Sequence, residues 1–221
     1  MHKEIKAKVH KETELGTYFL VLVSDESLTD EVKRFSENEI LKGELRIDDG
    51  RSITAGQRKK AYATMADIAV STGYPPEELK EMMKYLYIAE TGADYFSFRN
   101  CSVTTARLFI NFLIDFAFKQ GIPLMDMAVN RTDDINAALY SALKHKRCVL
   151  CGRDGEIHHV DAIGMGRNRL EIIHLGMRVI CLCREHHSEA HQIGQKTFDE
   201  KYHVYGIKAD GDICRIWGLG L

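Results

Sequence analysis

The residues between Cys148 and His191 constrain this chain more than any other stretch. They read Cys148-Val-Leu-Cys151, then Ile157-His158-His159-Val160-Asp161, then Cys181-Leu-Cys183-Arg-Glu-His186-His187-Ser-Glu-Ala-His191. Four of the six cysteines and six of the ten histidines fall inside this window, so sulfur and imidazole ligands are concentrated where one small region can use them together. Cys148 and Cys151 are three apart, a spacing that lets a tight knuckle aim two thiolates at one point, and Cys183 and His186 repeat it. Three sulfurs and one imidazole suit tetrahedral Zn(II) closed to water, which is a structural arrangement. The competing reading treats these cysteines as small buried apolar residues, but that use gives no reason for knuckle spacing to recur. Cys181 would share a strand face with Cys183 and is a substitute ligand less favoured than His186.

A knuckle leading into a helix puts His187 and His191, four apart, on one helical face. His158 and His159 follow the first knuckle, and adjacent strand residues point to opposite sides. His158 can therefore join His187 and His191 while His159 is aimed elsewhere. Three imidazoles holding a cation with open positions, and a fourth left to accept a proton from water, make a workable hydrolytic device. A lone histidine is more often a hydrogen-bonded or surface residue, and that reading is kept for His145, His174 and His203.

Thirty basic and 32 acidic residues give a net charge of −2, so any polyanion must be held by local patches rather than bulk charge. No run approaches the roughly 20 apolar residues of a spanning helix, and the charged start Met1-His2-Lys3-Glu4 does not read as a signal peptide. A cytoplasmic setting is expected, in which paired cysteines are metal ligands rather than disulfides.

Alternation over residues 3–11 and 17–23, around Glu14-Leu15-Gly16, predicts a hairpin. A short helix is expected over 27–35 and a strand over 41–48. Thr54 can cap a helix with Ala61, Met65, Ile68 and Ala69 on one stripe, ended by Gly73. Pro75-Pro76 opens a second helix with Leu79, Met82, Met83, Leu86 and Tyr87 inward, and Ser102 or Thr104 a third, stopped near Gly121. A linking helix is expected over 134–145, and Ile213, Ile216 and Trp217 are expected in a short terminal strand. The domain boundary is placed at about 126–136.

At its cysteines and histidines the chain resembles the HNH (ββα-metal) endonuclease superfamily, over about residues 145–205. The resemblance implies that His159 is the general base, that His158, His187 and His191 hold a catalytic Mg(II) or Mn(II), and that Cys148, Cys151, Cys183 and His186 hold a structural Zn(II). The asparagine that orients the base in that pattern should fall near position 178, which here is Arg178; Asn168 is too early in the count. Orientation of His159 would then fall to a backbone carbonyl or to Asp161.

Arg51-Ser52, followed by Gln57-Arg58-Lys59 heading a helix, resembles the phage Orf (NinB-like) recombination mediators, which bind single-stranded DNA. On that likeness Arg51, Arg58, Lys59 and Lys60 are expected to contact DNA, although a solvated charged face explains such a cluster equally well. Around the second site Lys144, Lys146, Arg147, Arg153, Arg167 and Arg169 can hold a phosphate backbone without reading sequence.

The expectation is thus an α+β chain of two modules: an Orf-like DNA-binding domain over 1–130 and a zinc-stabilised HNH domain over 131–221. The expected activity is metal-dependent hydrolysis of DNA in phage recombination. The expected partners are DNA (single-stranded, duplex or branched), a second copy of the chain and a single-strand-binding protein, with no membrane. Two rivals are a non-catalytic zinc-held DNA clamp, which Arg178 favours, and a sequence-specific restriction or homing enzyme.

Overall fold

The computed structural model describes residues 6–13, 16–22, 50–160 and 173–220. The helix expected over 27–35, the strand over 41–48, and Asp161, Arg167, Asn168 and Arg169 lie outside the described residues. The chain divides into two compact units, residues 1–47 and 48–221.

In the first unit, β1 (Lys6–Thr13) and β2 (Gly16–Leu22) form the expected antiparallel hairpin, with Thr13 opposite Gly16 and Lys6 opposite Leu22.

The second unit begins with three long helices: α1 (Ala55–Thr72), α2 (Pro76–Thr91) and α3 (Val103–Gln120). A capping box starts α1: Thr54 Oγ1 accepts from the Gln57 backbone N–H at 3.0 Å, and Gln57 Oε1 accepts from the Thr54 N–H at 3.2 Å. Gly73, at φ 78°, ends it in the left-handed conformation that costs glycine least. The buried Gln57 also donates from Nε2 to the Val103 carbonyl at 3.1 Å, tying the start of α1 to that of α3. Ala61, Met65, Ile68 and Ala69 are buried as their spacing requires. On α2, Leu79, Met83 and Tyr87 are buried and Met82 partly so, whereas Leu86 is exposed. Tyr87, Phe96, Phe98 and Phe109 pack edge-to-face, the arrangement that ring quadrupoles favour.

Short α4 (Ala128–Arg131) leads to α5 (Ile135–Lys144), capped by Asp134, whose side chain accepts from the Ala137 N–H at 3.2 Å. The buried face of α5 carries Ala138, Leu139, Ala142 and Leu143, and it packs both on α3 and on the sheet that follows. Residues 126–136, expected to divide two domains, therefore lie inside the second unit. One buried core runs from Ile53 to Cys214 because α5 offers apolar surface to both sides.

The sheet has order β3-β4-β5: β3 (Glu156–His159), β4 (Arg178–Leu182) and β5 (Ile207–Lys208), all antiparallel. Helices α6 (Arg184–Ile193) and α7 (Gln195–Tyr202) follow β4. The terminal strand expected around Ile213 and Trp217 is instead α8 (Gly211–Trp217). Asp210 caps it by accepting from the Ile213 N–H at 2.8 Å, and Gly218 stops it, so cap chemistry outweighs the apolar run. Trp217 Nε1 donates to the Leu143 carbonyl at 2.8 Å, and Cys214 is fully buried packing. Among the described residues no helix is long and apolar enough to cross a membrane. The architecture is α+β.

Candidate metal centres

The first knuckle is a turn closed by backbone: the Cys148 N–H donates to the Arg153 carbonyl at 2.7 Å and the Gly152 N–H to the Cys148 carbonyl at 2.8 Å. Gly155 sits where a Cβ would lie 2.4 Å from Cys181 Sγ and 3.0 Å from the Cys148 nitrogen, so the turn packs directly on β4. The Val149 N–H donates to the Cys181 carbonyl at 3.1 Å, which docks the knuckle beside the end of β4. Cys183 occupies the N-cap of α6, and His186 lies in that helix's first turn.

Ligand atoms of Cys148, Cys151, Cys183 and His186 all lie within 4.8 Å of one another. Cys151 Sγ and Cys183 Sγ are 3.7 Å apart, and His186 Nδ1 is 3.4 Å from Cys148 Sγ and 3.2 Å from Cys183 Sγ. Sulfurs each about 2.3 Å from a tetrahedral zinc would be separated by roughly 3.8 Å, so the donor set fits that ion. Burial pushes the Cys148 thiol up to about 12, which leaves it neutral unless a cation sits beside it. Cys151 is lowered despite its burial, because Arg153 donates to its sulfur at 3.3 Å. Burial lowers the His186 pKa and so favours the neutral imidazole that a metal needs. Cys181 is not among the converging donors; burial raises its thiol, and it belongs to the apolar face of β4.

The second group lies on the other ligand-bearing face of α6. His187 and His191 stand one turn apart, with ring centroids 5.0 Å from each other and 4.6 and 4.9 Å from His158 on β3. Nitrogen atoms of the three lie within 4.8 Å of one another. His158 is 4 % exposed, and burial lowers its pKa, which keeps its imidazole neutral. Its tautomer follows from its neighbours. Gln195 Nε2 donates to Asp199 Oδ1 at 2.7 Å, which turns Gln195 Oε1 toward His158 Nε2 at 2.8 Å. An oxygen there can only accept, so His158 carries its proton on Nε2 and presents a lone pair at Nδ1. Nδ1 is buried with no hydrogen-bond partner among the described residues, a position that a cation would satisfy. His187 Nδ1 lies 3.3 Å from Glu156 Oε2, the same kind of outer carboxylate contact. Gln195, Asp199 and Glu156 were not legible as site residues from spacing, because supporting contacts of this kind follow no fixed interval.

His159 is the last residue of β3, half-buried, and paired across the sheet with Val179. The ring of His174 lies 5.1 Å from it, centroid to centroid. His174 is buried, and backbone bonds hold its turn: the His174 N–H donates to the Gly220 carbonyl at 2.9 Å and the Gly176 N–H to that of Ala209 at 2.8 Å. Spacing alone gives His174 a structural place, whereas the fold brings it beside His159. The Arg178 side chain is exposed, while its carbonyl accepts from the Val160 N–H at 2.9 Å, one residue beyond His159.

The basic residues singled out for DNA have different surroundings. Arg58 donates from Nε to the Phe98 carbonyl at 3.0 Å, and Lys59 is exposed. Lys60 is occupied by Asp133 at 2.6 Å and by the Thr132 carbonyl at 2.8 Å. Arg51 is exposed, and its carbonyl accepts from the Val103 N–H at 2.9 Å. Near the sulfur cluster, Arg147 pairs with Asp154 at 2.6 Å, Arg153 with Glu185 at 2.5 Å and Lys144 with Asp115 at 3.4 Å, while Lys146 covers the Trp217 ring.

A hairpin bearing adjacent histidines, followed by a helix that supplies both a sulfur-cluster ligand and an imidazole pair, is a ββα arrangement. No curated protein and no solved structure matches the chain. The family model HNHc_6, described as "Putative HNHc nuclease", matches residues 24–220, which spans both the helices and the metal centres. The chain therefore belongs to this HNHc family.

Proposed function

We propose that this chain is a metal-dependent DNA endonuclease that hydrolyses phosphodiester bonds at the His158–His187–His191 centre. The observation that carries the reading is the buried His158 Nδ1, held as a lone pair by the Gln195–Asp199 contact and without a hydrogen-bond partner among the described residues. A divalent ion held there, Mg(II) or Mn(II), supplies positive charge against the phosphate and its leaving oxygen. His159, on the opposite side of β3, accepts the proton of the attacking water at an imidazole nitrogen. His174 buttresses the His159 ring, and the Arg178 carbonyl fixes the strand just beyond it, which together take the place of the missing asparagine side chain. Cys148, Cys151, Cys183 and His186 hold Zn(II), which pins the knuckle to the start of α6 and so sets the His187 and His191 positions. Arg51, Arg58 and Lys59, with Arg167 and Arg169, engage the DNA backbone, and Lys60 does so only if it leaves Asp133.

The biological setting we favour is phage DNA recombination in the bacterial cytoplasm. There the part N-terminal to about residue 130 acts as an Orf-like mediator on single-stranded DNA, as a homodimer and beside a single-strand-binding protein. The capped helix start bearing Gln57, Arg58 and Lys59 is the feature that supports this.

Incubating supercoiled plasmid with zinc-loaded protein and Mn(II) tests the activity. Nicking is expected from the native protein and not from His159→Ala, which should still shift DNA on a gel. A second reading, a zinc-held DNA clamp without catalysis, is favoured by the exposed Arg178 where the pattern has asparagine. Native protein that shifts DNA and never nicks it would establish that reading instead.

A further inference from the structure

A cleft unrelated to either metal centre opens between α1, α2 and the segment 97–99. It encloses about 310 Å³, and among the described residues no carboxylate lines it. Four cations do: Arg58, Lys80, Lys84 and Arg99.

Their roles differ. Lys84 is 4 % exposed; its ammonium lies 3.0 Å from Glu81 and 5.0 to 5.8 Å from the ring centres of Tyr95, Phe96 and Phe98. Glu81 in turn accepts from the Tyr95 hydroxyl at 2.8 Å, so this group is neutral and internally closed. Lys80 is paired with Glu77. Arg58 and Arg99 remain. The Arg58 Nε bond to the Phe98 carbonyl aims the guanidinium while committing only one of its five N–H groups. Arg99 is exposed and has no side-chain hydrogen bond or ion pair among the described residues.

Two aromatic rings line the same cleft, those of Tyr62 and Phe98. Tyr62 is 43 % exposed, and its ring is backed by Phe98 at 5.3 Å, so it is held rigid yet open to solvent. Tyr85 and Tyr95, also exposed, lie 6.0 Å from each other, and the Tyr95 hydroxyl is 3.4 Å from Lys84 Nζ on the cleft wall. Two guanidinium groups with no ion pair among the described residues, beside a braced ring, suit a phosphate joined to a flat heterocycle. Bases in a duplex stack on one another and cannot reach such a ring, whereas bases of an unpaired strand can.

We propose that this cleft binds an unpaired nucleic-acid strand, with a phosphate on Arg58 and Arg99 and a base against Tyr62. The proposal rests on the reading that the chain acts on DNA, but not on cleavage at the imidazole centre. It gives the nuclease a grip on single-stranded substrate at a place where no bond is broken.

The test is fluorescence anisotropy of a labelled oligo-dT with the full zinc-loaded chain, without Mg(II) or Mn(II), across a salt series. Arg99→Glu and Tyr62→Ala should each weaken binding about tenfold, the order expected for one stacked base or one phosphate contact. Arg99→Glu should also flatten the dependence on salt, Tyr62→Ala should leave it unchanged, and Tyr62→Phe should bind as the native chain does. Unchanged thermal melting of these variants separates lost contacts from lost folding, since neither side chain is buried.

Native affinity in both variants overturns the proposal. So does duplex binding that is tighter than oligo-dT and indifferent to Tyr62→Ala, or inorganic phosphate that competes as well as the oligonucleotide. Parallel plasmid assays keep the two readings apart: a chain that binds oligo-dT through this cleft but never nicks keeps the cleft and loses the nuclease, and one that nicks with both variants binding normally does the reverse.

Discussion

Removing Gln195 should weaken the imidazole centre without touching a ligand. Gln195→Ala deletes the one hydrogen bond that the His158 ring makes among the described residues, a 2.8 Å contact to Nε2 on a residue 4 % exposed. Two consequences follow. The buried Nε2–H loses its acceptor, at a cost of about 1–3 kcal/mol. The ring also becomes free to place its proton on Nδ1, where it would block coordination. Outer contacts of this kind are worth roughly 10–100-fold in metal affinity, or about 1.4–2.7 kcal/mol. Titrating Mn(II) into zinc-loaded native and Gln195→Ala proteins by calorimetry reads this directly. Affinities equal within about twofold, with zinc content unchanged, would refute the claim that Gln195 sets the His158 tautomer.

Cys148→Ser should reduce bound zinc below one equivalent and destabilise the unit over 48–221, because structural zinc binding is coupled to folding; zinc analysis and a thermal melt check it, and native melting with no zinc bound would count against it. His174→Ala should lower the nicking rate by as much as about 10²-fold through misplacement of His159, while DNA affinity stays native. Asp115 offers a test of stability against pH. Its side chain is mostly buried, which alone would raise its pKa, but His145 at 2.9 Å and Ser141 at 2.8 Å bring it down to about 2 from 3.8. A depressed carboxyl contributes stability that is complete above its unfolded pKa and is lost as pH falls through the folded one, here between about 4 and 2. Asp115→Asn should therefore cost about 2 kcal/mol in urea melts at neutral pH, with the difference from the native chain shrinking across that window; a constant difference down to pH 2 would contradict the pairing.

Local signals carried most of the fold. The α1 limits were legible because Thr54, Gln57 and Gly73 state both ends chemically, and the α5 start because Asp134 caps it. The convergence of the two donor groups was legible for the same reason: knuckle spacing, helical i to i+4 spacing and strand alternation are short-range geometry, and the Cys148–His186 and His158–His191 groups come together as sets that could hold a metal ion. Long-range packing was not legible. Nothing in residues 126–136 announces that α5 buries apolar surface on both sides. The terminal helix was read as a strand because Ile213 and Trp217 dominate the pattern while Asp210 and Gly218 decide it. His174 and Gln195 reach the site by tertiary contact, 15 residues past His159 and 37 past His158 respectively. The cleft around Tyr62 joins residues from three segments, and only Arg58 among its walls was singled out in advance.

The account stands on two distinct ions, one closed by sulfur and one open among imidazoles. Anomalous diffraction from crystals of the zinc-loaded protein soaked in Mn(II), collected at both absorption edges, locates them directly. A zinc peak among Cys148, Cys151, Cys183 and His186, with a separate manganese peak bonded to His158 Nδ1, His187 and His191, is the predicted result. Manganese absent from the three imidazoles, or a single ion shared between the two groups, would contradict it.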